Sequence, residues 1–187
     1  MPPKVKVTRE SIVNASLDIV RNSGAQEINA RNIAASLGCS TQPVFSNFMT
    51  MDELRLAVVE KAEIICDEYI KKEIEEGKFP AYKASGMAYI RFAKEEKELF
   101  KLLYMRNRTN EAIPESNKLG DKMESIVQRN TGLDALSAKL FHLEMWAFVH
   151  GIAVMVATDY IKLDFELISR MLTDVYQGMK KQYNTEQ

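Results

Sequence analysis

Apolar residues recur along this chain at intervals of three and four almost from end to end, the period of helices that bury one face. Alternating apolar and polar runs are nearly absent, so the chain reads as all-α. Thr8 is the N-cap of a first helix that runs to about Ser23, before Gly24, with Ile12, Ala15, Ile19, Val13, Leu17 and Val20 as its broad apolar stripe. Asn29 caps a helix of about two turns whose inner face is Ile33, Ala34 and Leu37, and Gly38 ends it in the left-handed conformation. Ser40 is read as the cap of a third helix, with Pro43 tolerated in its first turn, where backbone N–H groups lack intrahelical partners. A long helix follows from Asp52 to Gly77, then a solvated turn at Glu75, Glu76 and Lys78, with Pro80 in the first turn of the next helix. Further helices are expected at about 80–96, 97–106, 115–130, 135–158 and 164–183.

Composition changes this picture little. The chain has 187 residues, 46% hydrophobic and 27% charged, enough to build a real core, with a formal net charge of −1. That charge excludes a polybasic coat for nucleic acid, but it is uneven: Lys4, Lys6, Arg9, Arg21 and Arg31 outweigh Glu10, Asp18 and Glu27 up to Thr50, so the N-terminal end is the basic one. Residues 1–7 read as a loose, slightly basic arm. Cys39 and Cys66 lack the close-spaced partners of a zinc site, which fits a reducing cytoplasm and no metal. No signal-peptide pattern opens the chain, and the longest apolar run, Met145 to Ala157, is too short to span a bilayer and reads as a buried helix. Asn107-Arg108-Thr109 matches a glycosylation pattern that means little without a secretion signal.

The stretch SLGCSTQPVFSNF, Ser36 to Phe48, holds two short helices joined by a tight glycine-containing turn, the sequence form of a helix-turn-helix. On the second helix, Thr41 to Asn47, Val44 and Phe48 point into a three-helix core, Gln42 and Ser46 lie opposite, and Thr41 and Phe45 flank them. An amide and a hydroxyl at i and i+4 suit base edges: Gln42 pairs with adenine N6 and N7, Ser46 serves either base, and Phe45 packs on a sugar or a thymine methyl. Asn47 reaches a base or a phosphate, while Arg31, the start of its helix and Thr41 hold phosphates, with Lys4, Lys6 and Arg9 adding flanking contacts.

From Thr8 to Leu54 the chain resembles the TetR family of transcriptional repressors. The resemblance rests on the Ile33-Ala34 pair, the Gly38-x-Ser40 turn, the Phe45-x-x-Phe48 ending and the acidic start MTMDEL of a long helix. It implies a DNA-binding domain over 1–50 and a helical ligand-binding and dimerisation domain over 51–187. Phe45 and Met51 stand where the family usually has Tyr and Lys, and Asn47 where it often has His, which predicts weaker and less salt-sensitive DNA binding.

KLFHLEMWAFVHGIAVMVATDY is similar to the penultimate helix of a TetR subgroup with a Trp-His-Gly signature, here Trp146, His150 and Gly151. The resemblance implies a homodimer through the last two long helices, with Gly151 and Ala153 permitting close approach, and a small-molecule cavity. Met87, Ile90, Tyr104, Met105, Trp146 and His150 are expected to line it, apolar walls with a few polar handles.

Catalytic signatures are missing: His142 and His150 lie eight apart without a carboxylate at ligand spacing, and no nucleophile elbow, phosphate loop or HExxH occurs. The expected function is therefore a cytoplasmic, cofactor-free, homodimeric regulator released from operator DNA by a small molecule. The alternative is a helical small-molecule-binding or interaction protein that has lost operator binding. An all-α enzyme is the third and weakest reading.

Overall fold

A computed structural model of the chain describes residues 7–107 and 118–185, and every described element is helical. The helices are α1 (Arg9–Ser23), α2 (Ala30–Ser36), α3 (Gln42–Asn47), α4 (Met51–Glu75), α5 (Ala81–Glu95), α6 (Lys97–Tyr104), α7 (Lys118–Thr131), α8 (Ala135–Ala157) and α9 (Phe165–Thr185), with a 3-10 turn at Ala25–Glu27. The all-α expectation holds. Lys4, Lys6, the N-terminal arm up to residue 6 and most of the RNRTNEAIP segment lie outside the described residues.

The chain forms two compact units. The first comprises Met1–Asp67 and Glu96–Arg106. Thr8 caps α1 as expected: its hydroxyl accepts from the Ser11 amide at 3.1 Å, and Ser11 Oγ accepts from the Thr8 amide at 2.9 Å, which satisfies two orphan donors together. Asn29 caps α2 by accepting from the amides of Arg31 and Asn32. Gly38 adopts φ +63, where a β-carbon is strained, and so turns the chain from α2 toward α3. Ile12, Val20, Ile28, Ile33, Val44 and Leu54 are sealed together in this core, and α1 also packs along α6.

Two expectations here are corrected. Ser40 does not cap α3; Thr41 occupies that position and makes no side-chain cap bond, because its helical backbone turns the hydroxyl away from the first amides. The long helix begins at Met51, one residue early, since Thr50 Oγ1 accepts from the Glu53 amide at 3.1 Å.

The second unit comprises Glu68–Glu95 and Asn107–Gln187. Its centre is α5, which packs on α8 and α9, with α7 against α8. Gly86 permits this: a β-carbon there meets Leu172 Cδ2 at 3.0 Å and Val149 Cγ2 at 3.5 Å. Pro80 precedes α5 instead of entering it, and its carbonyl accepts from Ala84. Two tyrosine–histidine bonds link α5 to α8, Tyr82 Oη to His142 Nδ1 at 3.0 Å and Tyr89 Oη to His150 Nδ1 at 2.9 Å.

The run Met145 to Ala157, expected to be buried, is buried along one face of α8 only. One face carries buried Phe141, Met145, Val149 and Ile152, while Leu136, Leu140, Leu143 and Trp146 are exposed. Its 23 residues are long and apolar enough to cross a membrane by length and composition, a wider span than Met145 to Ala157 because Leu-rich turns precede that run. Apolar residues lie on every side of the helix, with Lys139 and Glu144 its only charges, so its sequence does not mark which face turns inward. Ala153 lies on the inward face, contrary to its expected role in helix–helix approach between subunits, whereas Gly151 is exposed and a β-carbon there meets nothing.

Candidate nucleic-acid interface

Helices α2 and α3 form the expected helix-turn-helix. Val44 and Phe48 are fully buried, which anchors α3 and fixes its outer face. Gln42, Phe45 and Ser46 are exposed on that face, with Thr41 and Asn47 half-buried at its edges. Phe45 leaves 55% of its surface open, a large apolar side chain held in water.

Hydrogen bonding narrows what each polar residue offers. Ser46 Oγ donates to the Gln42 carbonyl at 2.9 Å, and Asn47 Nδ2 donates to the Pro43 carbonyl at 2.8 Å. Ser46 has spent its one hydrogen and is left as an acceptor suited to base donors, whereas Asn47 keeps its acceptor oxygen and a second N–H. Gln42 has no such bond and keeps both functions of its amide. The amides of Arg31 and Asn32 are already taken by Asn29, so the start of α2 holds fewer open donors than expected. The Arg31 side chain is exposed and forms no ion pair among the described residues.

Arg9, expected to add a flanking contact to DNA, is engaged within the first unit. Its Nη1 donates to the Asn47 carbonyl and to Glu53 Oε1, both at 2.8 Å, and its guanidinium lies 4.0 Å from the centre of the Phe48 ring. Glu53 also accepts from the Met49 amide at 2.7 Å. The Arg9 hydrogen bond, then the amide, hold the Glu53 carboxyl below its usual range. Sequence reading missed this clamp because its members lie 38 and 44 residues apart, beyond any helical period.

The residues expected to line a ligand cavity are divided. Tyr104 and Met105 belong to the first unit, where the Tyr104 hydroxyl is 3.6 Å from Cys66 Sγ and Met105 is exposed. Met87 and Ile90 are sealed inside α5 in the second unit. Trp146 stacks on His150 at 5.0 Å between ring centres, and Trp146 is partly exposed. Burial holds the His150 imidazole below its usual pKa.

An exposed, side-chain-bearing second helix behind a glycine turn, followed by a long helix into a separate helical unit, defines the architecture of a helix-turn-helix regulator. The sequence profile of the tetracycline repressor-like C-terminal domain matches residues 82–175. The chain therefore belongs to the tetracycline repressor-like, or TetR, family of transcriptional regulators.

Solved structures agree on the fold. A TetR-like transcriptional regulator from Rhodococcus sp. RHA1 is similar over 100% of both chains at a TM-score of 0.66 and 14% identity. A TetR family member from Streptomyces coelicolor A3 is similar over 89% of this chain and 96% of its own at 0.60 and 16%. The multidrug binding protein EbrR, complexed with imidazole, is similar over 89% and 88% at 0.57 and 16%. No curated protein matches the chain.

Proposed function

We propose that this regulator is a cytoplasmic repressor whose two copies read a palindromic operator and leave it when a small molecule binds the second unit. The observation that carries the DNA-binding part is the outer face of α3: Val44 and Phe48 lock the helix, and Gln42, Phe45 and Ser46 stand exposed beside Thr41 and Asn47. Gln42 and Ser46 read base edges, Phe45 packs on sugar or a thymine methyl, and Thr41 and Arg31 hold phosphates.

Homodimerisation through α8 and α9 is supported by the exposed Leu136, Leu140, Leu143 and Trp146 on α8 and Leu167 on α9, which pairing removes from water. Effector binding shifts the balance toward conformations whose heads do not match the operator, and α4, continuous from Met51 to Glu75, carries the change. The coupling is reciprocal, so operator DNA weakens effector binding by the same factor.

A second reading, a ligand-binding protein that has lost its operator, is favoured by the engagement of Arg9 and by Met51, which stands where the resemblance to the family implies a lysine. Selection of bound sequences from a random DNA pool at moderate salt separates the two. A palindromic motif supports the regulator and gives its half-site spacing. Recovery of unselected DNA overturns the operator-reading part and favours the second reading.

A further inference from the structure

The second unit contains a recess of about 370 Å3 between the last turns of α4 and the C-terminal half of α5. Glu73, which lines it, is only 4% exposed, and α4 carries it inward from a run that is otherwise solvated. Its Oε2 accepts from Arg91 Nε at 3.1 Å, but its Oε1 is buried with no hydrogen-bond partner. A buried carboxylate oxygen left without a donor is costly; Oε1 is sealed from solvent, so a guest's donor relieves that cost once the Glu73 carboxyl turns toward the recess it lines. Arg91 does not turn to it: its guanidinium is 4.3 Å from the centre of the Phe165 ring, and Nη1 lies 3.8 Å from Glu95 Oε1.

The charges of the recess are balanced. Lys72, Lys78 and Arg91 face Glu73, Glu76 and Glu95, and Lys78 is paired with Glu76 at 2.8 Å. Tyr69 adds an aromatic wall, with its hydroxyl donating to Glu95 at 3.0 Å. A purely cationic guest satisfies Glu73 but leaves the site with surplus positive charge, and an anion leaves Glu73 bare. A guest that carries both an ammonium and a carboxylate satisfies Glu73 Oε1 and meets Lys72 without changing the net charge.

We propose that this recess binds small zwitterions with a primary ammonium, amino-acid-like compounds anchored by Glu73 and steered by Lys72. The proposal deepens the effector reading above and rests on it for its regulatory meaning, although binding itself does not depend on it.

Calorimetric titration of the full chain with γ-aminobutyrate and phenylalanine, alongside butylamine and butyrate, tests it. Zwitterion heats are expected, with butylamine roughly tenfold weaker and butyrate silent. Glu73→Gln keeps the shape and removes the charge, so zwitterion affinity falls roughly tenfold. Exposed Lys72→Ala, which leaves the core untouched, brings zwitterions down to the level of butylamine. The proposal is overturned if neither zwitterion binds at millimolar concentration, or if Glu73→Gln binds them as the wild type does. Binding that leaves operator affinity unchanged sustains the site and overturns the effector reading. Operator release by other compounds, with no zwitterion binding, does the reverse.

Discussion

Arg21 and Glu96 meet as two flat forks, Nε to Oε2 at 2.9 Å and Nη2 to Oε1 at 2.8 Å, and so tie α1 to the residue that opens α6. The Glu96 side chain is 17% exposed and that of Arg21 36%, which places the pair between a surface bridge and a buried one. A double-mutant cycle with Arg21→Ala and Glu96→Ala, read by urea unfolding, should give a coupling of about 1 kcal/mol. Additive single losses would show that the fork adds no stability of its own.

Arg9 and Arg31 should separate cleanly. Arg9 holds Asn47 and Glu53, so Arg9→Ala loosens the join between α3 and α4 while leaving the salt dependence of DNA binding unchanged. Arg31→Ala should weaken binding to all sequences alike and reduce the slope of log K against log salt by about one. A change of slope with Arg9→Ala would return that residue to the phosphates. Because the folded pKa of Glu53 is lowered from 4.5, its contribution is present above that value and lost as pH falls through the folded value. Arg9→Ala should reduce that acid sensitivity, leaving the part due to the Met49 amide.

Gln42→Ala should cost about 1–3 kcal/mol of operator binding and relax preference at one base pair. The check is a competition assay against operators altered at single positions. Equal losses on every operator would make Gln42 a backbone contact.

Both histidines predict weakening of the second unit in mild acid. Burial holds His142 and His150 below 6.5, with Glu124 partly opposing the shift at His142. The unfolded chain then binds protons that the folded chain excludes, so this stability is full above about 6.5 and is lost as pH falls toward the folded values. Urea midpoints should therefore drop between about pH 7.5 and about pH 5.5, and drop less in His142→Gln, which keeps a partner for Tyr82. An unchanged drop would place the titration elsewhere.

Gly151→Arg should act in opposite directions on the protomer and the dimer. The position is exposed and a β-carbon there meets nothing within the chain, so replacing a mid-helix glycine should stabilise the protomer by roughly 0.5–1 kcal/mol. The added charge lies on the face proposed for pairing, so sedimentation should show monomers. A persistent dimer would move the interface off this face of α8.

The helices were legible because their signals are local. Thr8, Asn29 and Gly38 act within three or four residues of themselves, and the structure uses each as read. The buried side of α8 was not legible, since Leu140 outside and Phe141 inside are equally apolar. Glu73 was hidden for the opposite reason: within KKEIEE it looks like one more solvated charge, and only its burial beside Arg91, 18 residues away, sets it apart. The expected cavity residues separated because Tyr104 and Met105 fold with the first unit, a long-range choice that spacing along one helix does not record.

The arginines of the first unit are mostly committed to carboxylates: Arg9 to Glu53, Arg21 to Glu96 and Arg55 to Asp52. If α3 reads DNA as proposed, through an amide, hydroxyls and a phenyl ring with few cations left for phosphates, the head displaces few counterions. Its occupancy of an operator then changes little when a cell takes up or expels potassium under osmotic stress. Under the proposed function, such a switch would report its effector through swings in ion content that would dislodge a more basic repressor.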